Sequence, residues 1–191
     1  MEGSRMTMDI FKAISSRRSI RHFKSDPISR ENILRILEAG RWAPSWKNSQ
    51  CPRFVAIDDK AVKQHISQTL MQNRAYDGAL TAPLLIVVCA ELGQSGYSAG
   101  VPATDKGDWY MFDTALAVQN ILLEAWSLGF GSVVIGYFNA SAVASIIDLP
   151  EGFTVVNLIA IGRPDETPGI PSRKPFEQVC FLNRFGNQYP S

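Results

Sequence analysis

Apolar side chains recur at helical spacing from the start of the chain, with Ile10, Phe11 and Ile14 on one face of the segment Asp9 to Arg17. A second helical pattern holds Ile33, Leu34, Ile36, Leu37 and Ala39. Ser29 stands in the N-cap position, and Gly40 and Pro44 punctuate the exit. Arg53 to Asp58 predicts a short strand, and Lys60 to about Met71 predicts an amphipathic helix. Pro83 opens the apolar run Leu84 to Ala90, which is short and rich in β-branched residues, as a buried strand is. Four glycines and Pro102 within residues 93–107 predict a mobile loop or lid.

The segment Asp108 to Leu128 carries apolar residues on nearly every helical face, among them Trp109, Met111, Phe112, Leu116, Val118, Ile121, Leu122 and Trp126. Such a helix belongs in a core or between subunits, and in a chain of 191 residues a subunit interface is the expectation. Gly129 stops this helix, Gly131 to Gly136 reads as a strand or extended turn, Ser141 to Ile147 as a short helix, and Phe153 to Gly162 as an apolar strand. The tail 164–191 holds five prolines and too few apolar residues for a core element, so its order requires packing on something else, for which a partner subunit qualifies. The chain as a whole reads as one domain, 1–191, with that tail extended.

Charge narrows the function. The chain carries 19 basic and 18 acidic side chains, a balance that offers no global field for nucleic acid or an anionic membrane. Residues 1–25 nevertheless concentrate six basic groups (Arg5, Lys12, Arg17, Arg18, Arg21 and Lys24) against two acids, which suits a phosphate group better than a polymer. Cys51, Cys89 and Cys180 form neither a CxxC pair nor a zinc pattern, so neither a disulfide framework nor a structural metal is expected. Without an apolar leader in the first residues or a membrane-length apolar run, the expected compartment is the cytoplasm.

Three stretches hold candidate chemistry. Arg17-Arg18-Ser19-Ile20-Arg21 offers guanidinium forks and a hydroxyl that match phosphate oxygens, although a solvated helix end looks the same in isolation. Ala43-Pro44-Ser45-Trp46-Lys47-Asn48-Ser49-Gln50 clusters amides and hydroxyls able to hydrogen-bond a polyol or heterocycle edge, and alone it is a polar loop. Pro171-Ser172-Arg173-Lys174-Pro175 is a basic pair in an extended tail, alone merely solubilising. Cys51 abuts the second stretch, but neither His22 nor His65 has a cue placing it alongside, so a packed, inert thiol is the better reading. Trp46 and Trp109 read first as core or interface aromatics, with stacking on substrate as the alternative.

Taken in order, these stretches resemble the nitroreductase family. Arg-Arg-Ser-Ile-Arg-x-Phe is similar to its opening signature, and Ala43 to Phe54 to its second motif. Asp113-x-x-x-Ala117-x-Gln119-Asn120-x-Leu122 followed by Leu128-Gly129-Phe130-Gly131-Ser132 resembles its central helix and exit. Ile161-Gly162-Arg163-Pro164 and Arg173-Lys174-Pro175 resemble its closing segments. The resemblance spans about Asp9 to Val179.

It implies an α+β fold, a central and mainly antiparallel sheet flanked by helices in an intertwined homodimer, with FMN in the dimer cleft, NAD(P)H as reductant, and a nitroaromatic, quinone or similar small electron acceptor. Carried over by position, Arg17 and Arg173 bind the FMN phosphate, with Lys174 as a further basic contact. Arg18 and Ser19 lie along the phosphate, ribityl and pyrimidine end, and Arg21 reaches the N1–O2 edge. Pro44, Ser45, Asn48 and Gln50 come from the second motif, and Ile135 and Gly136 pack near the ring's N5. The resemblance assigns the chemistry to the flavin, with no protein acid, base or nucleophile. Enteric-type members carry an acid where Ile135 stands, so the preferred acceptor stays open. Two other classes remain: a flavin-binding protein with a storage or non-redox role, and a non-flavin interaction domain on the same dimeric scaffold.

Overall fold

Strand β2 (Leu84–Glu91) is the centre of the molecule. All of its residues but Glu91 are buried, because successive side chains enter two different cores. Leu85, Val87 and Cys89 point to one face of the sheet, and Leu84, Ile86 and Val88 to the other. A strand covered on both sides has no polar face, which is why its sequence lacks the alternation of a half-exposed strand. The computed structural model describes residues 9–71 and 75–190. Arg5, part of the basic N-terminal concentration, and Ser191, the last residue of the tail, lie outside the described residues.

Three further strands complete the sheet: β1 (Pro52–Ile57), β5 (Gly131–Ile135) and β6 (Phe153–Gly162), in the order β1-β2-β6-β5. Every neighbouring pair is antiparallel. In register, Pro52 faces Ala90, Leu84 faces Ile161, and Ile135 faces Leu158, with one bulge in β6 opposite Val88 and Cys89. One face is covered by α3 (Lys60–Ser67), α4 (Tyr76–Thr81) and α6 (Ala140–Ile146). The other is covered by α2 (Arg30–Arg41) and α5 (Tyr110–Ser127). Ser29 caps α2 as its sequence indicates, its hydroxyl accepting from Asn32 N–H at 3.3 Å. Helix α4 has no counterpart in the sequence reading.

Two readings change in the structure. Residues 93–107 are not a free loop: Tyr97–Ser98 (β3) pairs with Val101–Pro102 (β4) across Ala99 and Gly100, which both adopt the left-handed backbone of a tight hairpin turn. The segment is also anchored, by Ala103 N–H on Gly96 O at 2.7 Å and Gly93 N–H on the Asp108 carboxylate at 2.7 Å. Helix α5, in turn, buries a stripe within its own chain: Ala117, Val118, Ile121, Leu122 and Ala125 pack on α2 and the sheet. Leu122 is therefore a core residue of its own chain, and the open apolar side of α5 is at Met111 and Phe112.

The two ends of the chain are different. Helix α1 (Ile10–Ser16) leaves Ile10, Phe11 and Ile14 exposed, and the tail leaves Ile170, Phe176, Val179 and Phe185 exposed, with only a short 3-10 turn at Phe176–Gln178.

Candidate functional site

Helix α1 ends where Arg17 turns extended, its N–H closing the last turn on Ala13 O at 3.0 Å. Arg18 folds back over the helix end, its guanidinium donating to Ser15 O at 2.8 Å and Arg17 O at 2.7 Å, where the carbonyl end of the helix favours a cation. Ser19 then forms a parallel bridge with Ser132 of β5, and Ile20 N–H donates to Ser132 O at 3.0 Å. Gly131 permits this approach, since a Cβ there would fall inside the side chain of Ile20. The basic segment is thereby fixed along the β5 edge.

Arg173 arrives from the tail, its guanidinium resting on Pro171 O and Ser172 O, both at 3.3 Å. Burial, then the charges of Arg18 and Arg173, hold the Arg17 guanidinium below the ordinary arginine value. None of the three pairs with a carboxylate among the described residues. Like charges gathered from both ends of the chain, with no carboxylate partner among the described residues, suit an anion, and a phosphate dianion matches guanidinium forks in charge and geometry. Lys174 is exposed beside them.

Arg21 is held through its backbone. The Arg21 and His22 N–H groups both donate to the Glu166 carboxylate, the second at 3.1 Å, and these bonds hold that carboxyl below its ordinary value. Lys24 N–H on Arg163 O and Asp165 N–H on His22 O, both 3.0 Å, extend the pairing. The Arg21 side chain is left exposed. At the end of β5, Gly136 is exposed, with nothing within 4 Å of where a Cβ would sit. Ile135 is different: its side chain is buried in the core among Val143 and Leu158, so only its backbone can face a ligand.

The second motif forms a tight loop before β1. Lys47, Asn48 and Gln50 all take left-handed backbone angles, φ 44°, 57° and 49°. For non-glycine residues each costs on the order of 1–3 kcal/mol, so the surroundings must hold the loop. They do: Gln50 N–H donates to Ser45 Oγ at 2.8 Å, and Trp46 N–H and Ser49 Oγ donate to Asp113 of α5. Pro44 and Asn48 are exposed, while half-buried Ser45 and exposed Gln50 line a groove of about 630 Å³ between α2 and β1. Cys51 is fully buried, and burial together with the adjacent Asp113 charge pushes its thiol up to about 12, so it is protonated and inert.

The structure therefore brings Arg17, Arg18, Ser19 and Arg173 together at the β5 edge, with Arg21 pinned by Glu166 and Gly136 at the far end of that strand. It does not bring Pro44, Ser45, Asn48 and Gln50 to them. The loop leads into β1, the opposite edge of the sheet, three strand spacings or roughly 14 Å away. Along β2 it enters beside Ala90, whereas Ser132 lies in the row of Ile161 and Leu84, a further offset of roughly 20 Å. Within one chain the two half-sites occupy diagonal corners.

Sequence reading passed over Asp113 and Glu166 as site residues. Asp113 had a visible signal, an acid one turn into a largely apolar helix. Glu166 had none, because its partners are backbone groups far away in the chain.

The class defined by the fold is α+β, an antiparallel sheet with an arginine cluster along one edge strand and a strained polar loop at the other. Comparison with known proteins agrees. The model of the Nitroreductase family matches residues 14–163, and the chain belongs to that family. A protein of Archaeoglobus fulgidus named "Putative NADH dehydrogenase/NAD(P)H nitroreductase" is 32% identical over 83% of this chain and 87% of its own length. The 5,6-dimethylbenzimidazole synthase of Rhodospirillum rubrum is 29% identical over 81% of this chain and 82% of its own. Among solved structures, the NADPH:FMN oxidoreductase from Vibrio harveyi complexed with NAD+ superposes with a TM-score of 0.78 at 27% identity, covering 92% of this chain and 77% of the other.

Proposed function

We propose that this chain is an NAD(P)H-dependent FMN oxidoreductase that works as a homodimer, moving hydride from NAD(P)H to a nitroaromatic, quinone or similar small acceptor. The carrying observation is the cluster of Arg17, Arg18 and Arg173, which has no carboxylate partner among the described residues. It fits a flavin phosphate and explains why basic residues converge from both ends of a nearly neutral chain. The names of the similar FMN and NAD(P)H oxidoreductases support the same reading.

In this reading Arg17 and Arg173 hold the phosphate, with Lys174 alongside, and Arg18 and Ser19 line the ribityl approach. The exposed Arg21 guanidinium sits at the pyrimidine edge, favouring negative charge there. Gly136 N–H and the Ile135 backbone border the ring near N5. Pro44, Ser45, Asn48 and Gln50 then belong to the partner subunit's half of the same cleft, because diagonal corners of one sheet cannot grip a single flavin. The exposed apolar residues of α1 and the tail supply the surface for that partner.

When bound, FMN supplies the hydride-accepting centre, while the protein binds, orients and sets the field. No metal-binding group of His, Cys, Asp and Glu is present among the described residues, and no described helix is long and apolar enough to cross a membrane.

Titration of apo-protein with FMN and with riboflavin tests the reading. FMN binds more tightly if the arginine cluster grips phosphate, and equal affinities overturn that assignment. Turnover of NAD(P)H with a quinone separates an oxidoreductase from a storage protein. Parallel double-reciprocal plots are expected for alternating half-reactions in one cleft.

A further inference from the structure

Asp113 is only 1% exposed, yet no cation pairs with it among the described residues. Its charge is met by dipoles. Trp46 N–H lies 3.1 and 3.2 Å from its two oxygens. Ser49 Oγ donates at 3.2 Å, Cys51 Sγ at 3.5 Å and Ser95 Oγ at 2.6 Å. Three of these donors belong to the strained loop, and the fourth, fully buried Ser95, belongs to the segment that precedes the β3–β4 hairpin. Trp109 N–H returns to Ser95 O at 3.0 Å, and the Trp46 and Trp109 rings lie 5.2 Å apart. One carboxylate thus ties together the loop, the hairpin segment and the first turn of α5.

Buried charge satisfied only by neutral donors is costly to assemble and resists rearrangement, because any donor that leaves exposes unmet negative charge in a low-dielectric site. The left-handed residues Lys47, Asn48 and Gln50 lie between those donors. We propose that Asp113 is a positioning residue: its carboxylate holds the 43–51 loop in its strained form, keeping Ser45, Asn48 and Gln50 presented to the flavin ring, and through Ser95 it sets the hairpin segment against the same loop. This rests on the flavin reading above.

The test uses the full chain with Asp113→Asn, Ser49→Ala and Ser95→Ala. A carboxamide keeps the shape but offers one acceptor oxygen in place of two. Asp113→Asn should weaken FMN and riboflavin binding equally, by roughly tenfold, since the phosphate corner is untouched. Amide exchange at residues 46–50 should quicken, and at saturating FMN the visible circular dichroism of the bound flavin should change. Arg17→Ala should instead alter the ratio of the two affinities and leave loop exchange alone. Ser49→Ala and Ser95→Ala should each give a smaller change in the same direction, and they carry the test if Asp113→Asn does not fold. Wild-type affinities, dichroism and loop exchange in the variants overturn the proposal, as does a loss confined to FMN. A wild-type protein that binds neither flavin ends the functional reading instead, and the exchange rates still decide whether Asp113 holds the loop.

Discussion

The middle of the chain and its two ends use apolar side chains in opposite ways. Strand β2 and the inward-facing residues of β6 and helix α5 bury theirs against one another, Ile86, Ile121 and Ile159 all at zero exposure. Helix α1 and the tail carry comparable side chains and leave them in the open, Phe11 at 75% and Phe185 at 93%. The core of the middle is self-sufficient, whereas the described residues leave the apolar side chains of the ends uncovered. The arginines of the candidate phosphate site, Arg17, Arg18 and Arg173, sit on the ends, so in the proposed reading cofactor binding and assembly depend on the same segments.

The strongest way to break this contrast is a charge placed in each region. Ile159→Asp strands a carboxylate in a two-sided core, at a cost of several kcal/mol against a total stability of about 5–15 kcal/mol, and should abolish folding. Phe11→Asp should leave the far-ultraviolet spectrum intact while sedimentation shows a monomer with little bound flavin. An unchanged dimer in Phe11→Asp would show that the exposed face of α1 has another purpose.

Next in size is Arg17→Ala. Losing one charge-assisted bond costs about 1.5–3 kcal/mol, a roughly ten- to hundredfold loss in FMN affinity, with riboflavin affinity unchanged. Arg21→Ala acts on the field rather than on the grip. At saturating FMN the flavin should become harder to reduce, by about 30 mV for each 1.4 kcal/mol of lost stabilisation. A midpoint potential equal to the wild type would remove Arg21 from the ring.

Smallest is the effect of the buried thiols, which belong to the self-sufficient middle. Burial raises Cys51 to about 12 and Cys89 to about 11, from an ordinary 9.0. A group whose folded value is raised contributes fully below its unfolded value, and the contribution fades as pH climbs through the folded one. Stability should therefore decline between about pH 9 and 11 more in the wild type than in Cys51→Ala with Cys89→Ala. Neither thiol should react with iodoacetamide in the native state, and Cys51→Ala should leave turnover nearly unchanged.

Periodicity alone located β2, β6, α2 and α5 to within a few residues, because their apolar spacing is a local property imposed by the pleat and the helical turn. Local capping chemistry likewise placed the start of α2 at Ser29. The ordered basic and polar motifs made the family legible, since they lie in contiguous stretches. What the chain could not announce were relations between distant segments. The hairpin at 97–102 was hidden because glycine-rich composition suits a loose loop and a tight turn alike. The side chain of Ile135 proved to belong to the core, a matter of which face of β5 it occupies. The junction of Arg17 with Arg173, the Glu166 clamp, the Asp113 hub and the separation of the two motifs to opposite sheet edges all depend on strand order. Strand order is set by the packing of the whole sheet, so only the tertiary structure decided them.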